Sequence, residues 1–139
     1  MIDRRKLKRL ETPVQVTMKL LGTAEHPQPI KAETRNVSPE GLSIELEVIL
    51  RNGSLLIPQG EEPIRLIPFL VLNRKIVELA IWIPPKDERI RALGRVVWYD
   101  FGSSGPCYYF KAGIVPEEME IEDRKKWARF VRNVHQVRD

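Results

Sequence analysis

The sequence has 139 residues, 42% of them hydrophobic and 30% charged, with a formal net charge of +4 at pH 7. This length predicts one domain with a single core and is too short for two comfortable ones. Cys107 is the only cysteine, which excludes an internal disulfide and favours a reducing cytoplasm. No apolar run approaches the roughly 18 residues of a membrane span, and no apolar stretch follows the charged N-terminus as in a secretion signal.

The net positive charge lies in the first ten residues. They hold five of the 23 basic residues and one of the 19 acidic ones, so the remaining 129 residues carry 18 of each sign and are neutral. Five cations so close together repel each other and bury little, so we expect residues 1–10 to form a flexible basic arm that awaits an anion. The alternative is a solvated tail that only aids solubility.

Alternation of apolar and polar residues predicts a series of half-buried strands. In the first strand, apolar residues occupy the even positions from Val14 to Leu20. Turn residues separate the strands, as in segments 22–29 and 102–106. In one of the later strands, the alternation places Trp98 on the same face as Ile90. The predicted strands cover 13–22, 30–36, 42–48, 74–83, 90–99 and 107–115.

The apolar period becomes helical from about Glu118 to residue 136. Acidic residues near the start of this segment and arginines near its end suit the helix dipole. Six or more short strands followed by one helix predict a mainly β fold, an antiparallel barrel closed at one side by a C-terminal α-helix. The apolar stripe of the helix consists of Ile121, Trp127, Phe130, Val131 and Val134.

The segment 49–72 interrupts the regular spacing of the strands. Asn52-Gly53 is a two-residue hairpin signal, whereas Pro58 and Pro63 exclude a helix. The apolar content of the segment is too high for a solvated loop. We therefore expect an insertion that either packs onto one end of the barrel as an added hairpin or contacts a second chain, which leaves a homodimer open.

The sequence contains few residues suited to catalysis. His26 lies in a proline-flanked turn and His135 near the end of the helix, so neither is positioned as a general base. Cys107 begins a strand and is interpreted as a small core residue rather than a nucleophile. No metal-binding, phosphate-loop or nucleophile-elbow motif occurs, so we expect neither an enzyme nor a cofactor. Trp82 and Trp98 are predicted to pack on strand faces, with Trp98 bordering a ligand as the alternative.

Two short patterns combine residues suited to an anionic ligand. Near the N-terminus is R-x-x-x-R, preceded by a further arginine. One strand pair later is N-x-S-x-x-G, at the start of the third strand. The residues that define the two patterns are Arg4, Arg5, Arg9, Asn36, Ser38 and Gly41. Each pattern alone fixes only two or three positions, so the specific signal is their order and combination.

Together these patterns resemble the two motifs of the PilZ domain family, whose members bind the bacterial second messenger cyclic di-GMP. The similarity continues through Gly94–Tyr99 and Phe110–Ile114, which look like the family's last two strands, to the C-terminal helix. The resemblance implies a six-stranded antiparallel β-barrel of the PilZ-like, split-barrel type with a C-terminal α-helix. The expected organisation is a basic arm at 1–10 and one barrel domain at 11–139, with an insertion at about 49–72 and a helix at about 118–136.

The resemblance implies that cyclic di-GMP binds between the arm and the barrel. Arginine suits this ligand because its planar guanidinium pairs bidentately with phosphate or with guanine O6/N7, and also stacks on a base. Asn36 offers a donor and an acceptor, Ser38 offers a hydroxyl, and Gly41 permits a positive φ and a close backbone approach. Arg4 is expected to favour a stacked pair of ligands over a single one. The alternative for residues 36–41 is an ordinary Asx-type turn.

The function implied is that of a cytoplasmic receptor that orders its arginine arm on ligand binding. It would signal through a protein effector partner in motility, attachment or exopolysaccharide control. One alternative is an adaptor of the same fold that binds only proteins and no ligand. The other is a small basic barrel that binds nucleic acid, which is disfavoured because the barrel itself is neutral and lacks aromatic residues interleaved with cations.

Overall fold

The computed structural model describes residues 8–20, 29–59, 64–65, 76–84, 86 and 88–136. Within these ranges the chain forms eight strands and one helix. The strands are β1 Lys8–Leu20, β2 Ile30–Ser38, β3 Gly41–Arg51, β4 Ser54–Ile57, β5 Ile64–Arg65, β6 Ile76–Ile83, β7 Glu88–Ser104 and β8 Cys107–Glu118, and the helix is α1 Ile121–Gln136. No helix in the described part of the chain is long and apolar enough to cross a membrane.

Six of the strands close into an antiparallel barrel. Their order around the barrel is β1, β6, β7, β8, β3 and β2, and the pairing of β2 with β1 completes the ring. Strands β4 and β5 extend the sheet beyond the end of β3. The predicted mainly β fold, a six-stranded antiparallel barrel followed by a single C-terminal helix, is therefore confirmed.

The predicted apolar faces line the inside of the barrel. Met18 of β1, Ile44 of β3, Ile81 of β6 and Phe110 of β8 are all buried there. Side chains of this size contribute about 1.5–3 kcal/mol each when they are removed from water. The barrel interior is thus the single core that the length of the chain predicted.

The insertion begins as an added hairpin at one end of the barrel. Asn52 and Gly53 both have positive φ, 51° and 78°, as a type I′ turn between β3 and β4 requires. After β4, the side chain of Gln59 donates to the Lys31 carbonyl and accepts from the Lys31 N–H, each at 2.6 Å. This side chain ties the insertion to β2 at a point beyond the pairing of β2 with β3. Residues 60–63 and 66–75 lie outside the described residues.

The hairpin of β7 and β8 is longer than predicted. The prediction of a loop over 102–106 is wrong, because β7 continues to Ser104 and only Gly105 and Pro106 form the turn. Gly105 has a φ of 62°, which allows this tight reversal. Cys107 begins β8 at the outer end of this hairpin and is exposed, so its interpretation as a core residue is also wrong.

Helix α1 packs against β7 and β1. Trp127 and Val131 are buried in this contact, with Phe130 and Val134 partly buried beside them, as the predicted stripe requires. Ile121 departs from the prediction, since 72% of its surface is exposed. It is the first residue of the helix, about one turn and a half before Trp127, the first buried position.

The first strand begins earlier than the alternation predicted. Lys8, Arg9 and Leu10 belong to β1, so these three residues of the expected arm 1–10 are part of the barrel sheet. Residues 1–7 lie outside the described residues. Of the two arginines of the R-x-x-x-R pattern, Arg9 thus lies in β1, and Arg5 lies outside the described residues.

Candidate ligand site on the barrel surface

The two sequence patterns meet across β1 and β2. In the strand register, Arg9 lies directly opposite Asn36, and Lys8 lies opposite Val37. Side chains opposite each other on one face of an antiparallel pair are about 4.5–5.5 Å apart at Cβ. The second arginine of the first pattern therefore stands beside the first residue of the second pattern. Arg4 and Arg5 lie outside the described residues.

The pairing of Arg9 with Asn36 continues across three further strands. Asn36 lies opposite Ser43 of β3, Ser43 lies opposite Gly113 of β8, and Gly113 lies opposite Trp98 of β7. The Asn36 Nδ2 donates to the Ser43 Oγ at 3.4 Å. These five residues, Arg9, Asn36, Ser43, Gly113 and Trp98, form one row across the outer face of the barrel, which we name the polar row.

Two strand irregularities place residues on the polar row. The register shifts between Thr34 and Asn36 in β2, and again between Val96 and Trp98 in β7. Each extra residue reverses the alternation, so Asn36 and Trp98 point outward although Thr34 and Val96 point inward. The predicted placement of Trp98 on the face of Ile90 is therefore wrong, because a bulge cannot be read from a uniform alternation.

Gly113 makes room for the indole of Trp98. A Cβ built at position 113 would lie 2.1 Å from the Trp98 Nε1, far inside any tolerable contact. The aromatic side chain therefore covers the glycine and lies beside Ser43, which is itself almost wholly buried. The end of the polar row is an aromatic surface of the kind on which a nucleobase stacks.

Ser38 has a structural part in the turn between β2 and β3. Its side chain is buried, and its Oγ accepts a hydrogen bond from the Gly41 N–H at 3.3 Å across the Pro39-Glu40 turn. The expected positive φ at Gly41 is not confirmed, since the described residues with positive φ are Asn52, Gly53 and Gly105. Gly41 itself is buried.

Two cavities flank the polar row. One has a volume of about 490 Å³ and lies over β2, β3 and β8, where its lining includes Arg35, Glu45 and Tyr109. The other has a volume of about 440 Å³ and separates the Pro39-Glu40 turn from Trp127 and its neighbours on α1. Both are large enough for a nucleobase, and the turn of the N-x-S-x-x-G pattern forms a wall of the second.

The polar row contains residues that the sequence patterns did not indicate. Ser43 and Gly113 belong to neither pattern, and only the strand register brings them beside Asn36. Trp98 was recognised only as an aromatic residue that could border a ligand. The described residues contain no group of three or more histidine, cysteine, aspartate or glutamate side chains that could hold a metal ion.

Comparison with known proteins gives matches among solved structures. No family model matches the sequence, and no curated protein matches it. MrkH of K. pneumonia in its apo state superposes with a TM-score of 0.67 at 10% identity, over 99% of this chain and 53% of that chain. The Bacillus subtilis inhibitor of motility MotI/DgrA gives 0.57 at 12% identity, over 99% of this chain and 54% of that chain.

A third match was solved with a ligand bound. The Borreliella burgdorferi PlzA protein, in complex with c-di-GMP, gives a TM-score of 0.55 at 9% identity, over 95% of this chain and 44% of that chain. The chain has the PilZ fold. At these identities the likeness is one of fold, and this PilZ barrel spans about half the length of the solved chains that it matches.

Proposed function

We propose that this PilZ barrel is a receptor for cyclic di-GMP that binds the ligand on the polar row, without a catalytic step. The observation that carries the proposal is the register of Arg9 opposite Asn36, which unites the two sequence patterns at one place on the barrel surface. The c-di-GMP complex of a protein with the same fold supports the choice of ligand. Arg9, Asn36 and Trp98 of the row also suit different parts of that ligand.

The polar row provides contacts for phosphate and for base. Arg9 is exposed and offers a guanidinium fork to a phosphate or to the O6/N7 edge of a guanine. Asn36 offers an amide to a base edge, and Trp98 offers a ring for stacking. Ser38 acts through the turn, because its hydroxyl already accepts the Gly41 N–H. We propose that Arg4 and Arg5 complete the site from the chain segment that precedes Lys8.

The ordering of this segment is the proposed signal. Residues 1–7 hold three of the five cations of the N-terminal run and precede a strand that already reaches the site. The phosphates of the ligand would offset the repulsion among these cations and draw the segment onto the barrel. A protein effector would then recognise the ordered segment. The trypsin cleavage rate within residues 1–7 should fall on addition of saturating cyclic di-GMP.

The test of the proposed function is a calorimetric titration with cyclic di-GMP, with GTP and cyclic di-AMP as controls. We expect saturable heat with cyclic di-GMP only. Trp98→Leu should weaken binding by roughly 1–3 kcal/mol, the usual contribution of one stacked base. Trp82→Leu is the matched control, because Trp82 lies on β6 beneath Arg89, on the far side of the ring of strands. No heat with cyclic di-GMP, or equal losses in both variants, would contradict the proposal.

A further inference from the structure

Glu45 of β3 holds two cations on the outer face of the barrel. Its Oε2 lies 3.0 Å from the Arg35 Nε, and its Oε1 lies 3.3 Å from the Lys111 Nζ. Arg35 also contacts Glu33, with 3.3 Å between the Arg35 NH2 nitrogen and the Glu33 Oε2. The side chains of Arg35 and Lys111 are each 41% exposed, and that of Glu45 is 29% exposed. One carboxylate therefore contacts two accessible cations.

These charges lie immediately beside the polar row. Arg35 is the extra residue of the β2 bulge, next to Asn36 in the chain. Glu45 and Lys111 are opposite each other and stand two residues from Ser43 and Gly113 on the same outer face. Two residues of a strand span roughly 6.6 Å, less than the width of a dinucleotide. A ligand on the polar row would therefore bring its phosphates within reach of both cations.

We propose that Arg35 and Lys111 are further phosphate-binding residues, and that Glu45 lowers the affinity of the site by competing with the ligand for both. The inference rests on the proposed function and assigns residues outside the two sequence patterns. Exposed ion pairs are weak, so a phosphate can replace the carboxylate as the partner of either cation. The Arg35 Nε lies close to the Glu45 carboxylate without forming a hydrogen bond, whereas the Arg35 NH2 nitrogen donates to the Glu33 Oε2 at 3.3 Å. Of these two carboxylate contacts, only the one with Glu33 is therefore a hydrogen bond.

The competition has a definite electrostatic cost for the ligand. With Glu45 ionised, its carboxylate competes with a phosphate on the row for Arg35 and Lys111. Because Glu33 also contacts Arg35, the two cations and the two carboxylates of this cluster cancel. Without the Glu45 carboxylate, the cluster carries a net charge of +1, Lys111 loses this partner, and Arg35 keeps its contact with Glu33. A guanidinium in particular can then pair bidentately with phosphate. Glu45 would thus set the affinity of the receptor without touching the ligand itself.

The test compares Glu45→Gln with Glu78→Gln by titration with cyclic di-GMP. Both changes remove one negative charge, but Glu78 lies on β6, which is opposite β3 in the six-strand ring. We expect Glu45→Gln to lower the Kd roughly threefold to tenfold, and Glu78→Gln to change it less than about twofold, because two weak ion pairs are released only in the first variant. Thermal unfolding of both variants verifies that the barrel is intact.

A third variant separates release of the cations from a simple change of charge. In the triple variant Glu45→Gln, Arg35→Gln, Lys111→Gln, the gain in affinity should disappear. A gain that persists in this variant would overturn the inference, and so would equal affinities for Glu45→Gln and Glu78→Gln. Either result would leave the proposed function intact if the unmodified protein binds. Failure of both the unmodified protein and Glu45→Gln to bind would overturn the inference and the proposed function together.

Discussion

Two sides of the barrel differ in how regularly their antiparallel strands pair. We name the side formed by β6 and its pairings with β1 and β7 the regular wall, and we compare it with the side that carries the polar row. The eight residue pairs from Ile76 opposite Arg95 to Ile83 opposite Glu88 form an uninterrupted ladder, and the pairing of β6 with β1 is also regular. On the other side, the pairings of β1 with β2, β2 with β3 and β7 with β8 all contain register shifts.

The difference suggests separate roles, in which the regular wall contributes mainly to folding stability and the wall with bulges contributes the candidate ligand site. A regular ladder keeps alternate side chains on one face, so Val77, Leu79 and Ile81 of β6 all stay inward. A bulge gives up some pairing and reverses the faces of the residues that follow it. Here the bulges bring Asn36 and Trp98 onto the surface that already contains Arg9 and Ser43. Each of the following predictions changes one wall and asks whether the other responds.

The largest effect is expected from the regular wall. Ile81 of β6 is wholly buried and lies opposite Val16 and Ile90. Ile81→Ala should reduce the free energy of unfolding by about 2–5 kcal/mol, because it leaves a cavity in the core. Urea denaturation measures this loss. The affinity for cyclic di-GMP of the fraction that remains folded should be unchanged, and a large fall in that affinity would mean that the two walls are not separable.

A change in the polar row is expected to reduce the affinity for cyclic di-GMP and leave folding stability unchanged. Arg9→Ala should weaken cyclic di-GMP binding by roughly 2–4 kcal/mol, since it removes a charge-assisted contact. We expect Arg5→Ala to have an effect of the same size. Arg91→Ala is the control, because Arg91 is exposed on β7 opposite Ala80 of the regular wall. Calorimetry measures the affinity and thermal unfolding measures the stability of the same samples. Loss of the unfolding transition in Arg9→Ala would show that this arginine is structural.

Two glycines sharpen the comparison, one on each wall. Gly113→Ala would drive a methyl group against the Trp98 indole, whereas Gly94→Ala would place one 2.7 Å from the Ile114 Cγ2 in the core. The first should lower the affinity for cyclic di-GMP by about 1–3 kcal/mol through loss of the stacking surface. The second should lower stability by about 1–3 kcal/mol through overpacking and leave the affinity unchanged. The opposite pattern would contradict the division between the walls.

A smaller effect is expected from Arg4, which precedes the first motif. Two stacked ligands bring four phosphates together, and a third guanidinium would offset their repulsion and stack on an outer base. The native protein should therefore bind two ligands per chain, and Arg4→Leu should shift the ratio toward one with a modest loss of affinity. A calorimetric ratio of one ligand per chain for both proteins would remove this role.

The smallest effect concerns a surface ion pair on β7 and β8. The hydrogen bond from Arg95 holds the pKa of Glu117 below its ordinary value, against the opposing effect of desolvation. The contribution of the pair is thus present at pH 7 and is lost as the pH falls through the lowered pKa. Glu117→Gln should reduce Tm slightly at pH 7, with a difference that vanishes in acid. If the Tm difference between the unmodified protein and Glu117→Gln grew as the pH fell, the pKa of Glu117 would not be lowered by Arg95.

Much of the barrel could be predicted from the sequence because local patterns encode it. The alternation from Val14 onward located the first strand, and Asn52-Gly53 located the hairpin into β4. The two motifs named the arginines and the turn residues of the candidate site. Several errors lie at strand ends, where residues such as Lys8 and Ser104 are held by pairing with another strand rather than by a pattern of their own.

What the sequence alone determined is therefore the six barrel strands, their inward faces up to the bulges and the concentration of positive charge near the N-terminus, because each depends on residues that are neighbours in the chain. The tertiary structure decided which strands pair, where the register slips and that Arg9, Asn36, Ser43 and Trp98 share one row. A single bulge reverses the face of every residue after it. Its position depends on contacts with the partner strand, so no local pattern records it.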